Sequence, residues 1–342
     1  MKTGKLVWRE MYKFTEPGIN AEGVRVYPFD RSFPIDVSFH KASGPRLVRL
    51  NRHEFFEIIY IYSGKTNIQV RDRILPAKTG DLVVIGPNLF HRVFHKPNDD
   101  DLRLVSMNFQ PEIARSGKIA GEEEYYLSPF LCQGSDFAHV ISKSENFSRE
   151  IFDLILKIHG EFPVSTLLNR MAIRTYLKMI LFLLFKHYAN RFGSVEMLNR
   201  ERKNLQRLQP VFDLLEESFA QPIRVQDAAR VCAMSSSHFM RFFKVTVGQS
   251  FRSYVTSFRI AKAQHLLMDK DMSIAEIGQQ VGFCSQSYFG EVFRALVGST
   301  PRSYRDQSIL RAAQNGNRPQ SHPQVDVGDV CLQNSLAKRM TF

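Results

Sequence analysis

The spacing of apolar and polar residues along the 342-residue chain changes character several times. Between about 55 and 109 the apolar runs are short, either alternating or wholly apolar, at 55–62, 66–70, 82–85 and 102–109. Turn residues separate them: Ser63-Gly64, Arg71-Asp72-Arg73, Thr79-Gly80-Asp81 and Gly86-Pro87-Asn88. Evenly spaced short strands with such turns predict an antiparallel barrel or sandwich. From 145 to 192 the period becomes helical: Phe147, Ile151, Leu154, Ile155 and Ile158 form one stripe. A second follows Glu161-Phe162-Pro163 and includes Leu168, Ile173, Leu177, Ile180, Leu181 and Leu184. So wide an apolar face has to be covered, by the strand domain or by a second copy of the chain. Residues 193–206 are polar and charged and read as a linker, 207–306 are helical again, and 307–342 have no sustained period and predict a disordered tail.

Within 225–305 one pattern is written twice. Val225 aligns with Ile274, Ala229 with Gly278, Phe239 with Phe289, Phe243-Lys244 with Phe293-Arg294, and Gly248 with Gly298. An internal repeat of helix, turn and helix implies two equivalent docking units. In the second copy Ser273 and Glu276 form a capping box, Ile274, Ile277 and Val281 the inner stripe, and Gly282 a turn that needs positive φ. Ser285 then caps a helix held down by Phe289, Val292 and Phe293. The first copy has Ala233 where glycine is expected, with Ser235 or Ser236 as the cap and Phe239, Phe242 and Phe243 turned inward. Residues 251–268 form one helix joining the units. It would set their separation near one turn of B-DNA, about 34 Å, if both lie in successive major grooves.

Composition narrows the setting. A formal charge of +12 favours a polyanionic partner, and the length allows two domains with a core each. Cys132, Cys232, Cys284 and Cys331 lack the spacing of a metal site or disulfide framework, which fits a reducing cytosol. The opening residues do not read as a signal peptide, and the longest apolar run, 179–185, is too short to span a bilayer.

Residues 207–305 resemble the DNA-binding domain of the AraC/XylS family of bacterial transcription regulators. The matching elements are Gly282-Phe283, Ser287-Tyr288-Phe289, Phe293-Arg294 leading to Gly298, Thr300-Pro301-Arg302-Ser303-Tyr304-Arg305, and a linking helix with Tyr254, Arg259, Ala263, Leu266 and Leu267. Upstream, His53-x-x-x-Glu57 with Gly64, then Gly80-Asp81 running through Pro87 to His91, resembles the two cupin motifs, with Asn51 in place of the first histidine. The resemblance implies an α+β multidomain protein: a cupin-like antiparallel β-barrel (20–140) for a small effector, a helical dimerisation or packing segment (145–192), a linker (193–206), a tandem helix-turn-helix domain (207–306) and the tail.

The implied function is a sequence-specific, effector-controlled regulator, an activator, acting in the bacterial cytoplasm at the nucleoid and not as an enzyme. Its partners are double-stranded DNA, a sugar-like small molecule, a second copy and RNA polymerase, with no membrane. The DNA-facing candidates are Ser237, Met240, Arg241, Lys244, Gln286, Ser287, Tyr288, Glu291 and Arg294. Of these Arg241 is the leading base reader, since a guanidinium matches guanine O6 and N7. The effector candidates are Arg46, His53, Glu57, Tyr60, Tyr62 and His91, with His40 and His95 behind them. His53, Glu57 and His91 could also form a two-histidine, one-carboxylate metal triad, which would make the barrel a metal-dependent enzyme fused to a DNA-binding domain. The reading adopted assigns them to the pocket, with no metal, no cofactor and no catalytic residue.

Overall fold

The computed structural model describes residues 6–11, 18–20, 23–42, 46–47, 49–95, 101–114, 122–134, 136–143, 147–192, 195–268 and 272–307. The tail expected to be disordered lies almost wholly outside these residues. The N-terminal strands are β1 (Arg9–Glu10), β2 (Ile35–Ala42), β3 (Arg46–Leu47), β4 (Phe56–Ser63), β5 (Lys65–Val70), β6 (Arg73–Lys78), β7 (Leu82–Ile85), β8 (His91–His95), β9 (Leu102–Phe109) and β10 (Val140–Ile141). They form two sheets, ordered β1-β2-β9-β4-β7-β10 and β3-β8-β5-β6, antiparallel except for β1 beside β2. The expected closed barrel is therefore not found: among the described residues no ladder joins one sheet to the other. β6, at one edge, carries exposed Arg73, Ile74, Pro76 and Lys78, the kind of edge that resists further strand pairing.

Strand alternation gives the larger sheet two buried faces. On β4, Phe56, Ile58 and Tyr60 pack in a core with helices α1 (Glu122–Leu131), α2 (Phe147–Glu161) and α3 (Leu167–Phe192). Ile59 and Ile61 belong instead to the core with Ile68, Val70, Val83, Ile85 and Leu104. The inner side of α3, including Ile173, Leu177, Ile180, Leu181 and Leu184, is buried against the sheet domain. Its outer side exposes Leu168, Met171, Met179 and Phe182. α4 (Val195–Ser218) then takes in most of the segment expected as a linker, so the connection to the C-terminal domain is helical. Among the described residues no helix is long and apolar enough to cross a membrane.

The C-terminal domain is all helical: α5 (Val225–Val231), α6 (Ser236–Val247), α7 (Phe251–Leu266), α8 (Ile274–Gln280) and α9 (Gln286–Val297). α7 serves both repeat units. Phe251, Tyr254, Phe258 and Ala261 enter the core of the first, and Ile260, Ala263 and Leu267 that of the second. Arg259 fastens the two together, donating to the carbonyls of Phe219, Gln221 and Gly282.

The two turns differ as their sequences predict. Gly282 has φ +90°, and a Cβ there would stand 2.7 Å from the Ala220 carbonyl oxygen. Ala233 holds φ +53° with a side chain in place. Gly282→Ala is expected to lower stability by about 1–3 kcal/mol. Ala233→Gly, which relieves left-handed strain against a looser unfolded chain, should leave stability within about 1 kcal/mol of the parent or raise it. Chemical denaturation of the two variants checks both, and equal losses would contradict this account of the turns.

Candidate functional site

The helix that follows each turn is the element able to dock on DNA. Ser235 caps α6 by accepting from the His238 amide at 3.3 Å, and Ser285 caps α9 by accepting from the Tyr288 amide at 3.4 Å. Phe239, Phe243 and Val247 bury one side of α6, and Phe289, Phe293 and Val297 the same side of α9. That leaves Ser237, Met240, Arg241 and Lys244 exposed on α6, and Gln286, Ser287, Tyr288, Glu291 and Arg294 exposed on α9. The structure thus gathers every DNA-facing candidate onto two solvent-facing helix surfaces. Glycines Gly248 and Gly298, at φ +77° and +85°, end both helices and release the chain from them.

The effector candidates separate by strand parity. Glu57 lies on the face of β4 opposite Tyr60, and Tyr60 stacks on Phe152 of α2 with ring centroids 4.2 Å apart. Tyr62 shares that outer face, contacting Phe152 and Trp8. Neither tyrosine joins the cluster, while His53, Glu57 and His91 meet: Glu57 Oε2 is 3.3 Å from His53 Nε2 and 3.2 Å from His91 Nε2. Arg25 donates to Glu57 Oε1 at 3.2 Å. All three cluster residues are buried. Arg46 lies on β3 and His95 ends β8; the structure does not describe their side chains.

Burial pushes the His53 pKa down to about 4 against the pull of the neighbouring carboxylate.

Polar residues that sequence reading missed extend this face. Asn108 pairs across the sheet with Glu57 on one side and Asp36 on the other. It is fully buried, and neither its carboxamide oxygen nor its nitrogen has a hydrogen-bond partner. Tyr27 donates its hydroxyl to Asp36, whose carboxylate also accepts from Ser38 at 2.6 Å. Burial, followed by that carboxylate, pushes the Tyr27 hydroxyl up to about 12. His40 lies 3.3 Å from the Ser106 hydroxyl, and burial takes its pKa down to about 4. The available signal was Ser106 and Asn108, polar residues at alternate positions in a strand that is apolar apart from them and Arg103.

The same segments also hold the C-terminal domain. Arg52 donates to Glu216 on α4 at 2.7 Å and to Asn88 at 2.9 Å, and lies over the Phe258 ring. Arg92 donates to the Leu296 carbonyl in the last turn of α9 at 2.7 Å. Leu50 donates its amide to Gln264 of α7, and Leu50 and Phe90 sit in the core of the first repeat unit. A small cleft at this junction is lined in part by Arg71, Gln133, Phe212 and Thr246.

Comparison with known proteins agrees with both halves. A family model described as an AraC-like ligand binding domain matches residues 34–157, and one described as a helix-turn-helix domain matches 228–307. The HTH-type transcriptional regulator YdeC of Bacillus subtilis is 23% identical over 258 residues, 75% of this chain and 86% of that protein. The HTH-type transcriptional activator RhaR of Mannheimia succiniciproducens is 24% identical over 263 residues, 77% of this chain and 88% of its own. Among solved structures, ToxT from Vibrio cholerae O395 bound to (E)-4-(8-methylnaphthalen-1-yl)but-3-enoic acid aligns with TM-score 0.46 and 15% identity. That alignment covers 80% of this chain and 99% of ToxT. A ligand-binding domain and a helix-turn-helix domain in this order place the chain in the AraC family of DNA-binding transcriptional regulators.

Proposed function

We propose that this regulator reads double-stranded DNA through α6 and α9 in successive major grooves. A small polar effector, seated in a cupin-like N-terminal domain, controls it. The observation that carries the reading is the pair of equivalent, capped helices whose outward residues are polar or basic and whose inward aromatics share one connecting helix. Arg241 reads guanine, Gln286 pairs with adenine, Ser287 meets a base edge or phosphate, and Glu291 accepts from cytosine. Lys244, Arg252, Arg294 and Arg302 position the domain on the backbone, while Arg305, with its Nε and one terminal nitrogen buried, serves inside the domain. Such a reader works in the cytoplasm on the nucleoid. RhaR's description as an activator supports activation here through contact with RNA polymerase. The AraC family is one of regulators, which removes the alternative of a metal-dependent enzyme.

The effector reading is supported by the polar face of buried Ser38, Glu57 and Asn108 with half-buried Asp36. Its unpaired carboxamide asks for a ligand that both donates and accepts. Hydroxyl groups do both, which favours a sugar or sugar derivative. A second copy along α3 is supported by the exposed stripe of Leu168, Met171, Met179 and Phe182, spaced along the side turned away from the sheet.

Selection of bound sequences from a random duplex pool should return one site spanning two adjacent major grooves. Arg241→Ala should weaken binding by about 1–3 kcal/mol and relax preference at a single position. A uniform loss on every sequence would reassign Arg241 to the phosphates. A thermal-shift panel of sugars and sugar acids should contain a ligand that raises Tm with dose, and Asn108→Leu should abolish the shift while the variant still folds. A shift retained at full size would move the effector elsewhere. The double variant Met179→Glu, Phe182→Glu should halve the mass seen by light scattering, whereas a parent protein already monomeric would refute the α3 interface.

A further inference from the structure

The His53–Glu57–His91 cluster has a hydrogen-bonding conflict that its own hydrogens do not resolve. His53 Nδ1 lies 2.8 Å from the Phe55 carbonyl oxygen, and His91 Nδ1 lies 2.8 Å from that of Leu89. A carbonyl only accepts, so each Nδ1 carries the hydrogen. Each Nε2 then turns toward one and the same atom, Glu57 Oε2. In a neutral imidazole that Nε2 is a lone pair, and it faces the lone pairs of a carboxylate. One additional proton relieves one of these contacts and leaves the other. Two additional protons set two imidazolium rings 4.7 Å apart beside the Arg25 guanidinium, in a space closed to solvent. A single divalent cation relieves both contacts by accepting a pair from all three atoms.

The two nitrogen-to-oxygen separations have the dimensions of such a site. Donors about 2.0–2.2 Å from a common ion, at tetrahedral or octahedral angles, stand about 3.0–3.5 Å apart. The two Nε2 to Oε2 separations here are 3.3 and 3.2 Å, and all three donor atoms lie within 4.8 Å of one another, so the two imidazoles close on the ion as it binds. An Nδ1–H donated to a carbonyl is also how metal-binding histidines are commonly oriented. Arg25 takes only Oε1, which leaves Oε2 for the ion. Asn51, paired across the strands with His91, has a buried Oδ1 with no hydrogen-bond partner.

We propose that His53 Nε2, His91 Nε2 and Glu57 Oε2 bind one divalent transition-metal ion. Two imidazoles and one carboxylate select zinc or ferrous iron over calcium or magnesium, which prefer oxygen donors. The proposal rests on the reading of this buried face as the ligand seat and deepens it: the ion leaves coordination positions that oxygen donors of a hydroxylated effector can fill. Its direct effect on DNA binding passes through Arg52 and Arg92, the residues next to the two histidine ligands.

The test uses the full-length protein, stripped with a chelator, reconstituted with Zn²⁺ or Co²⁺ and desalted. Elemental analysis should find one ion per chain, and the Co²⁺ form should show the visible d–d absorption of a mixed nitrogen and oxygen site. Glu57→Gln, which keeps shape and removes charge, and His91→Asn should each cut retention at least tenfold with circular dichroism unchanged. Cys284→Ser, lacking the exposed thiol, should retain the ion. No ion on the parent protein overturns the proposal, as does full retention in both ligand variants or loss only in Cys284→Ser. An organic effector that shifts Tm of a parent unable to hold metal would sink the metal site alone. Stoichiometric metal with DNA binding indifferent to every ligand would sink the effector reading and leave the metal site standing.

Discussion

The alternation of side chains along two short segments, 49–53 and 89–92, is the constraint on which the two halves of the molecule depend. Successive residues of an extended chain point to opposite sides. Here Asn51, His53, Leu89 and His91 turn toward the interior of the sheet domain, where Leu89 joins the core between the sheets. Their neighbours Leu50, Arg52, Phe90 and Arg92 turn toward the helical domain. Arg49 departs from this parity, its long side chain reaching the Ala261 carbonyl at 3.4 Å. Slipping either segment by one residue would bury guanidinium groups inside the sheet domain and present imidazoles to α4 and α9, so the register is strongly fixed.

The arginines make this junction more than apolar contact. Arg52 and Arg92 are almost fully buried, and a buried cation without partners is costly. Each has one partner in the sheet domain, Asn88 for Arg52 and Gln69 for Arg92, and one in the helical domain, the Glu216 carboxylate and the Leu296 carbonyl. The latter bond also falls at the C-terminal end of α9, where the helix dipole favours a positive charge. Separating the domains would take one hydrogen-bond partner from each guanidinium group, so the sheet domain bears on how α9 is presented as well as holding it. Arg71 adds the equivalent restraint on the first unit, with its guanidinium packed on Gly248, the residue that ends α6.

The C-terminal half was legible because its signals are local. A capping box spans four residues, each turn is a single glycine or its substitute, and the aromatic stripes repeat at helical spacing. The observed caps at Ser235, Ser273 and Ser285 and the positive φ of Gly282 follow from those residues, whereas Ala233 takes its positive φ from the equivalent place in the repeat and against its own preference. The sensing half was legible only as far as its strands. Tyr60 and Tyr62 read as pocket residues because they lie close to Glu57 in sequence, yet parity sends them to the helix-covered face. Asn108 and Asp36 reach the Glu57 row only through register between strands far apart in the chain, which no local pattern encodes. The same limit hid the absence of closure: alternation specifies which face of a strand is buried, and leaves open which edges pair.

The proposed ligand seat and the helical domain are therefore separated by single peptide units rather than by a long path. The His53 carbonyl accepts from the Asn88 amide at 2.7 Å, and the Asn88 side chain in turn accepts from Arg52. His91 and Asn51 exchange backbone hydrogen bonds at 3.1 and 2.9 Å. Anything that draws His53 and His91 toward Glu57 acts on the backbone of both segments, and with it on the angles from which Arg52 meets α4 and Arg92 meets α9. The coupling needs no flexible lever. It requires only that the two arrangements of the junction differ in free energy by an amount comparable to the ligand's preference between them. A seat built on the inward residues of the same segments that clamp the reader satisfies that requirement with the fewest intervening contacts.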